Sequence, residues 1–252
     1  MPDIGKSEPA HLALSAMISV IIPTLNEARN LPPLLTALRN ERAEHEIVVV
    51  DGGSDDGTID IALANGASLF QASPGRGAAV RAGSRGARGD ILFFLHADST
   101  FPAGGLQRIE EALSADPDVI GGNFRLMFDG GTRFSRLLTL SYARVRRLGF
   151  YYGDSGIFVR RSAYDALGGM RPIAVMEDFD FARRLERFGK TGCITEPALV
   201  TSSRRFEGRH PLKIVCGLIV LHILFWLGVS PDRLAEIYRR HRPRTNTAQP
   251  SP

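Results

Sequence analysis

Apolar residues in this chain fall into short runs, each ending at a turn or a carboxylate. Ile18 to Ile22 is a β-branched run, Asn26, Glu27 and Asn30 follow as helix-start signals, and Leu31, Leu34, Leu35 and Leu38 recur at helical spacing. Ile47 to Val50 predicts a second strand, Thr58 to Ala64 a short helix, Ser68 to Gln71 a third strand, Ala78 to Arg85 a small-residue helix and Ile91 to Leu95 a fourth strand. Alternation of this kind predicts an α/β fold: parallel strands need crossover connections, and the crossovers lay helices on both faces of the sheet.

Four acidic stations lie beside these and later apolar runs: Asp51, Asp98, Asp154 and the pair Glu177 and Asp178. A buried strand that stops at a carboxylate delivers it to the carboxyl edge of the sheet, where open α/β folds bind ligands. Carboxylates gathered there imply a metal and an anionic ligand, and hence an enzyme.

Composition narrows the partner. The chain has 252 residues, long enough for one large domain, and its formal charge of +4 rests on arginine, which favours bidentate contacts with phosphate or carboxylate. The two cysteines, Cys193 and Cys216, read as reduced packing residues of a cytoplasmic protein. No charged segment followed by a long apolar stretch opens the chain, so no secretory signal is expected; residues 1–16 read as a loose tail.

Three glycine-rich labels do not apply. The first turn, PTLNE, lacks the glycines of a dinucleotide fingerprint, and no GK[ST] occurs for a P-loop. DGGSDDGT carries Gly53 and Ala62 where a calcium loop needs ligands.

PTLNE (Pro23 to Glu27), VVVDGGSDDGT (Val48 to Thr58), GRGAAVRAG (Gly75 to Gly83), LFFLHADS (Leu92 to Ser99), GDSGIFVRR (Gly153 to Arg161) and MEDFDFARRL (Met176 to Leu185) resemble, in order, the motifs of the family 2 glycosyltransferases. Within that family the chain is similar to a bacterial branch described as radical-SAM/selenodomain-associated transferases. The resemblance implies a GT-A type fold, a Rossmann-like, mostly parallel sheet flanked by helices. It covers a catalytic domain over 17–205; beyond it the residue pattern reads as a helical extension over 206–242 and a disordered tail over 243–252. The implied activity is that of an inverting enzyme, moving a sugar from a nucleoside-diphosphate sugar to an acceptor hydroxyl with help from a divalent metal, Mn²⁺ or Mg²⁺.

Each station also has a plainer reading. Pro23, Thr24 and Glu27 can meet a base and ribose, or simply end a strand and start a helix. Asp51 with Gly53 can receive a base, or form a strand-to-turn corner. Arg76 beside Gly77 can reach a phosphate at a helix start, or stay solvated. Asp98, with Ala97 before it, is the expected metal donor. His96 stands where the family's DxD motif has its first acid, and can ligate the metal, touch the nucleotide or pack. Acids at 177 and 178 suit a helix N-terminus; the resemblance makes Asp178 the base and Glu177 its orienting neighbour. Gly153 and Asp154 are assigned to the acceptor, and Arg204 and Arg205 to the leaving diphosphate.

Outside the motifs, Phe134, Leu137, Leu138, Val145 and Leu148 form one predicted helical stripe, with Arg133, Arg136, Arg144, Arg146 and Arg147 supplying charge. Ile214 to Val229 is too short and interrupted to span a bilayer. It suits a buried helix, an interfacial helix or a dimer contact, ahead of a helix over Asp232 to Arg240. The expected partners are the donor and a hydroxyl acceptor, with a lipid-linked acceptor, the inner face of a membrane and a homodimer left open, and no nucleic acid. Two rivals remain: a noncatalytic sugar-nucleotide-binding or membrane-associated scaffold, and a nucleotidyltransferase.

Overall fold

A computed structural model describes residues 16–73, 75–129, 131–201 and 211–241. Arg204, Arg205, the tails at 1–15 and 242–252 and the boundary between 205 and 206 lie outside the described residues. The core is an eight-stranded sheet in the order β3-β2-β1-β4-β7-β6-β8-β5. Its first half is parallel: β1 (Ile18–Thr24), β2 (His45–Asp51), β3 (Ser68–Gln71) and β4 (Ile91–Phe94). Then β7 (Ile157–Arg160) runs antiparallel to both β4 and β6 (Val119–Phe128), β8 (Lys190–Thr201) lies parallel to β6, and the two-residue β5 (Ser99–Thr100) closes the far edge.

Strand alternation sends successive side chains to opposite layers. Val20, Ile22, Phe93 and Phe158 enter one core with α1 (Leu31–Arg39), α2 (Thr58–Ala64) and α4 (Gly105–Ala115). Ile21, Leu92, Phe94, Ile157 and Val159 enter the other with α3 (Arg76–Gly86), α6 (Arg161–Ala166) and α7 (Glu177–Phe188). Strands buried on both faces need no polar side, which is why these runs are continuously apolar. The small residues of α3 serve close packing: a Cβ on Gly83 would sit 2.7 Å from both Ile21 Cγ2 and Val50 Cγ2.

Helix starts follow local chemistry. Prolines stand in the first turn of α1, and Thr132 caps α5 (Arg133–Arg146) by accepting from the Ser135 amide at 3.0 Å. The stripe predicted on α5 divides, which corrects the sequence reading. Phe134, Leu138 and Tyr142 face β6, while Leu137 and Leu148 face outward. Arg146 turns in, donating to Asn123, Glu186, Thr191 and the Gly192 carbonyl. Helical phase explains the split: 134, 138, 142 and 145 share one side, and 137, 140, 144 and 148 the other. At the C-terminal end α8 (Pro211–Trp226) and α9 (Pro231–His241) pair, and α8 docks on Phe179 of α7 through Leu221, Leu224 and Phe225.

Candidate active site at the carboxyl edge of the sheet

The antiparallel direction of β7 has a chemical consequence. Phe94 pairs with Ile157, so the start of β7 lies beside the end of β4. A one-turn 3₁₀ helix, Gly153–Ser155, therefore projects from the same edge as β1 and β4. The helix α7 starts there too, after Met176, which holds a left-handed φ of +65°. Such a backbone costs roughly 1–3 kcal/mol for a residue other than glycine and persists only where its surroundings enforce it.

These elements enclose a cavity lined by Pro23, Arg76, His96, Gly153, Glu177 and Asp178 above apolar Val80, Phe94, Ile157 and Met170. Arg76 Nε donates to Glu177 Oε1 at 2.5 Å, and Arg76 Nη1 lies 3.2 Å from His96 Nε2. That second contact takes the lone pair of a neutral imidazole. Glu177 is 2% exposed while the Arg76 side chain is 44% exposed, so the pair joins a sealed carboxylate to an accessible guanidinium. Burial and the nearby carboxylates of Glu177, Asp178 and Asp154 act on Arg76 in opposite directions, and its pKa is raised on balance.

Asp178 is held by backbone. Its Oδ2 accepts from the Gly153 amide at 2.8 Å and its Oδ1 from the Phe179 amide at 2.7 Å. Burial pushes this carboxyl up, but Arg76 and the amides of Gly153 and Phe179 together hold it below the ordinary value. Glu177 goes the other way: burial and Asp178 raise it against the pull of Arg76. Two adjacent acids thus separate, with Asp178 kept ionised. Gly153 is the hinge of the arrangement, since a Cβ there would meet His96 Nε2 at 2.8 Å and Asp178 Oδ2 at 3.1 Å. Asp154 is buried beside it, and Gly77 is buried in the first turn of α3.

Asp51 does not line this cavity. It is fully buried, and its carboxylate accepts from Thr24 Oγ1 at 3.1 Å, Ser54 Oγ at 2.5 Å and the Gly53 and Ser54 amides at 2.8 Å each. Burial raises its pKa, these bonds lower it, and the bonds prevail. The loops after β1 and β2 are laced further: the Asn26 amide donates to Ser54, Glu27 to Thr58 and Ala28 to Asp56, and the Asp55 amide donates to Asn26 Oδ1. Glu27 Oε2 accepts from Asn30. Asp51 and Asp56 thus join the two loops into one ledge next to Pro23. Sequence alone offered Asp51 either as a base contact or as a strand-to-turn corner, and its bonds to the Gly53 and Ser54 amides are those of the corner; the pairing of Asn26 and Ala28 with Ser54 and Asp56 across 28 residues has no local signal.

Asp98 is exposed in the turn after β4, next to buried Ala97. Among the described residues no three His, Cys, Asp or Glu side chains form a ready metal cluster. An exposed single carboxylate suits a hard cation that brings its other ligands with a diphosphate. The Nε2 of His96 is engaged by Arg76.

Residues missed by sequence reasoning lie beside Asp178. Phe179 stacks on Phe150 and Tyr152, with His222 of α8 edge-on at 4.9 Å, and Tyr152 Oη lies 2.9 Å from His222 Nε2. The signal for Phe150 and Tyr152 was the aromatic density in GFYYG, which has no chemistry of its own.

A helix-flanked sheet with acids and an arginine at its carboxyl edge defines an α/β group-transfer enzyme scaffold, and comparison with known proteins specifies it. Residues 19–172 match the family described as Glycosyl transferase family 2, and the chain belongs to that family. It is 32% identical over 197 residues to a PGL/p-HBAD biosynthesis glycosyltransferase of Mycobacterium bovis, covering 73% of this chain and 72% of that one. It is 30% identical over 156 residues to an undecaprenyl-phosphate 4-deoxy-4-formamido-L-arabinose transferase of Aeromonas hydrophila, covering 57% of this chain. The chain spans about half the length of that relative, 48%. A mannosyltransferase from Pyrobaculum calidifontis, solved with GDP-Man and Mn²⁺, superposes with a TM-score of 0.60 at 23% identity over 81% of this chain and 61% of that one. Glucosyl-3-phosphoglycerate synthase from Mycobacterium tuberculosis, solved with Mn²⁺, UDP and glucosyl-3-phosphoglycerate, gives a TM-score of 0.60 at 18% identity, covering 85% of this chain and 81% of that one. Both share the fold.

Proposed function

We propose that this chain is an inverting glycosyltransferase acting on a nucleoside-diphosphate sugar and an acceptor hydroxyl. The observation that carries the reading is the convergence of Arg76, Glu177, Asp178 and the Gly153 amide on one cavity at the carboxyl edge of the sheet. The ledge built by Asp51, Thr24 and Gly53, with Pro23 and Glu27 at its rim, receives the nucleoside. Arg76 and the α3 N-terminus with Gly77 meet the diphosphate.

In the transfer step the acceptor oxygen bonds to the anomeric carbon as the bond from that carbon to the diphosphate oxygen breaks. Its proton passes to Asp178, and the nucleoside diphosphate leaves with both bonding electrons. General-base help of this kind contributes roughly 10²- to 10⁴-fold. Asp178 suits the role because each of its oxygens keeps an accepting site beyond the amide it already holds. Glu177, locked to Arg76, orients that arginine, and Asp154 with Gly153 borders the acceptor. A divalent cation, held by Asp98 and the diphosphate, would offset the leaving group's charge. Manganese in two structural neighbours supports a divalent metal for this chain, and the polyprenyl lipid in the name of the Aeromonas relative supports an acceptor hydroxyl carried on a lipid.

The test is a screen of nucleoside-diphosphate sugars with Mn²⁺ and saccharide or lipid-linked saccharide acceptors that present a hydroxyl, scored by release of nucleoside diphosphate and by the anomeric configuration of the product. Release that depends on an acceptor, with inverted configuration, is expected. Retained configuration, or pyrophosphate released from a nucleoside triphosphate, would overturn the reading.

A further inference from the structure

Beside the site lies a surface that the transfer chemistry does not use. On α8, Cys216, Ile219, Val220, Ile223 and Trp226 recur at helical spacing and are exposed, followed by Leu227. The opposite side of the helix is packed through Leu221, Leu224 and Phe225. Trp226 is 65% and Leu227 75% exposed, values that belong to a surface with an absent partner rather than to a core helix. The face reaches the C-terminal end of α5: Phe150 lies beside Trp226 with ring centroids 6.1 Å apart, and Leu148, 70% exposed, stands between Phe150 and the last residue of α5, Arg146. The outward positions of α5 include Arg136, Leu137, Leu140 and Arg144, and Arg147 and Leu148 follow just past its end.

Charge decides what covers this face. From Asp129 to Asp154, and again from Glu207 to Asp232, no carboxylate side chain intervenes. An apolar protein partner would be indifferent to that, and a second copy of this chain would set arginine against arginine. A bilayer bearing anionic lipids satisfies both features, taking the aliphatic groups and Trp226 at headgroup depth while the arginines reach phosphates. None of the described helices is long and apolar enough to cross a membrane, so the contact lies in the interface plane.

We propose that the joint face of α5 and α8 docks this protein on an anionic lipid surface. Docking there has a direct link to the site: His222, on α8, meets Tyr152 Oη at 2.9 Å, and Tyr152 precedes Gly153, whose amide holds Asp178. The lipid-facing helix and the cavity therefore sit on one set of contacts.

Trp226 is the only tryptophan in the chain, so its emission reports docking without a label. The whole chain is mixed with phosphatidylcholine vesicles with and without phosphatidylglycerol, and emission and co-sedimentation are followed, with no donor or acceptor present. The result therefore stands apart from the transferase reading. A blue shift with the anionic vesicles, weakened by high salt and by leaving out phosphatidylglycerol, is expected. Ile223→Asp with Leu227→Asp should weaken partitioning about tenfold or more, since both side chains are exposed and contribute through apolar burial. Arg144→Glu with Arg147→Glu should do so through charge alone. Unchanged emission, or aspartate variants that sediment like the parent protein, would overturn the proposal. Light scattering that shows a dimer which the aspartate variant dissociates, with vesicles leaving emission unchanged, would overturn it in favour of a second copy.

Discussion

Arg76 Nε and Glu177 Oε1 meet at 2.5 Å although 101 residues separate them. The bond ties the start of α3 to the start of α7 and holds the arginine over Asp178. A buried carboxylate bonded to one accessible arginine is a positioning device, and it makes Glu177 and Asp178 separable by mutation.

Asp178→Asn should lower turnover by about 10²- to 10⁴-fold, the range of a lost general base, with donor affinity by calorimetry nearly unchanged. Donor binding lost in parallel with turnover would move Asp178 from catalysis to binding.

Arg76 predicts a pH effect. Its positive charge favours ionised Asp178, whose pKa lies below the ordinary carboxylate value. Removing that charge disfavours ionisation, so Arg76→Gln should move the acid limb of the kcat/KM profile to higher pH, besides weakening diphosphate binding by about 10- to 100-fold. An acid limb that stays in place would show that another group limits the rate.

Asp51→Asn should destabilise the fold by about 1–3 kcal/mol, because an amide nitrogen would face donors where a carboxylate oxygen now accepts. Asp51 is lowered in the fold, so its stabilisation is fully present above its unfolded pKa of about 3.9 and is lost as pH falls through the lower folded value. The Tm difference between parent and variant should be full at pH 7 and shrink below about pH 4.

Gly153→Ala tests the hinge. A methyl group 2.8 Å from His96 Nε2 and 3.1 Å from Asp178 Oδ2 forces both to shift. A cost of about 1–3 kcal/mol in stability is expected. The loss of turnover should exceed the loss of donor affinity, as measured by kcat against Kd.

Asp98→Asn addresses the cation. With a nucleoside diphosphate present, Mn²⁺ should raise the Tm of the parent protein through linked binding, and the variant should lose most of that rise. An equal rise in the variant would place the cation elsewhere.

The alternation of strand and helix was legible because it is local: Thr58–Ala64 and Ser68–Gln71 stand as their residue patterns predict. The predicted helix over Asp232 to Arg240 lies within α9. Sequence order also carried the acids of α7, since a helix start attracts them whatever their further use. Pairing was not legible. The Ile157 run reads the same whether it runs with or against β4, yet only the antiparallel choice carries Gly153 and Asp154 to the edge where β1 and β4 end.

What the chain determined by itself is its short-range content: the apolar periods, the glycines that allow close approach, the order of the acidic stations and hence the family. What tertiary structure alone decided is which acid meets which partner. Asp51 met Thr24 of β1 and Glu177 became the partner of Arg76, while Asp178 was set on the Gly153 amide. The physical reason is range: hydrophobic period and helix propensity act over a few residues. The partner of a buried charge is chosen by whatever distant group the folded sheet brings within hydrogen-bond reach, because leaving that charge unpaired costs more than any local preference supplies.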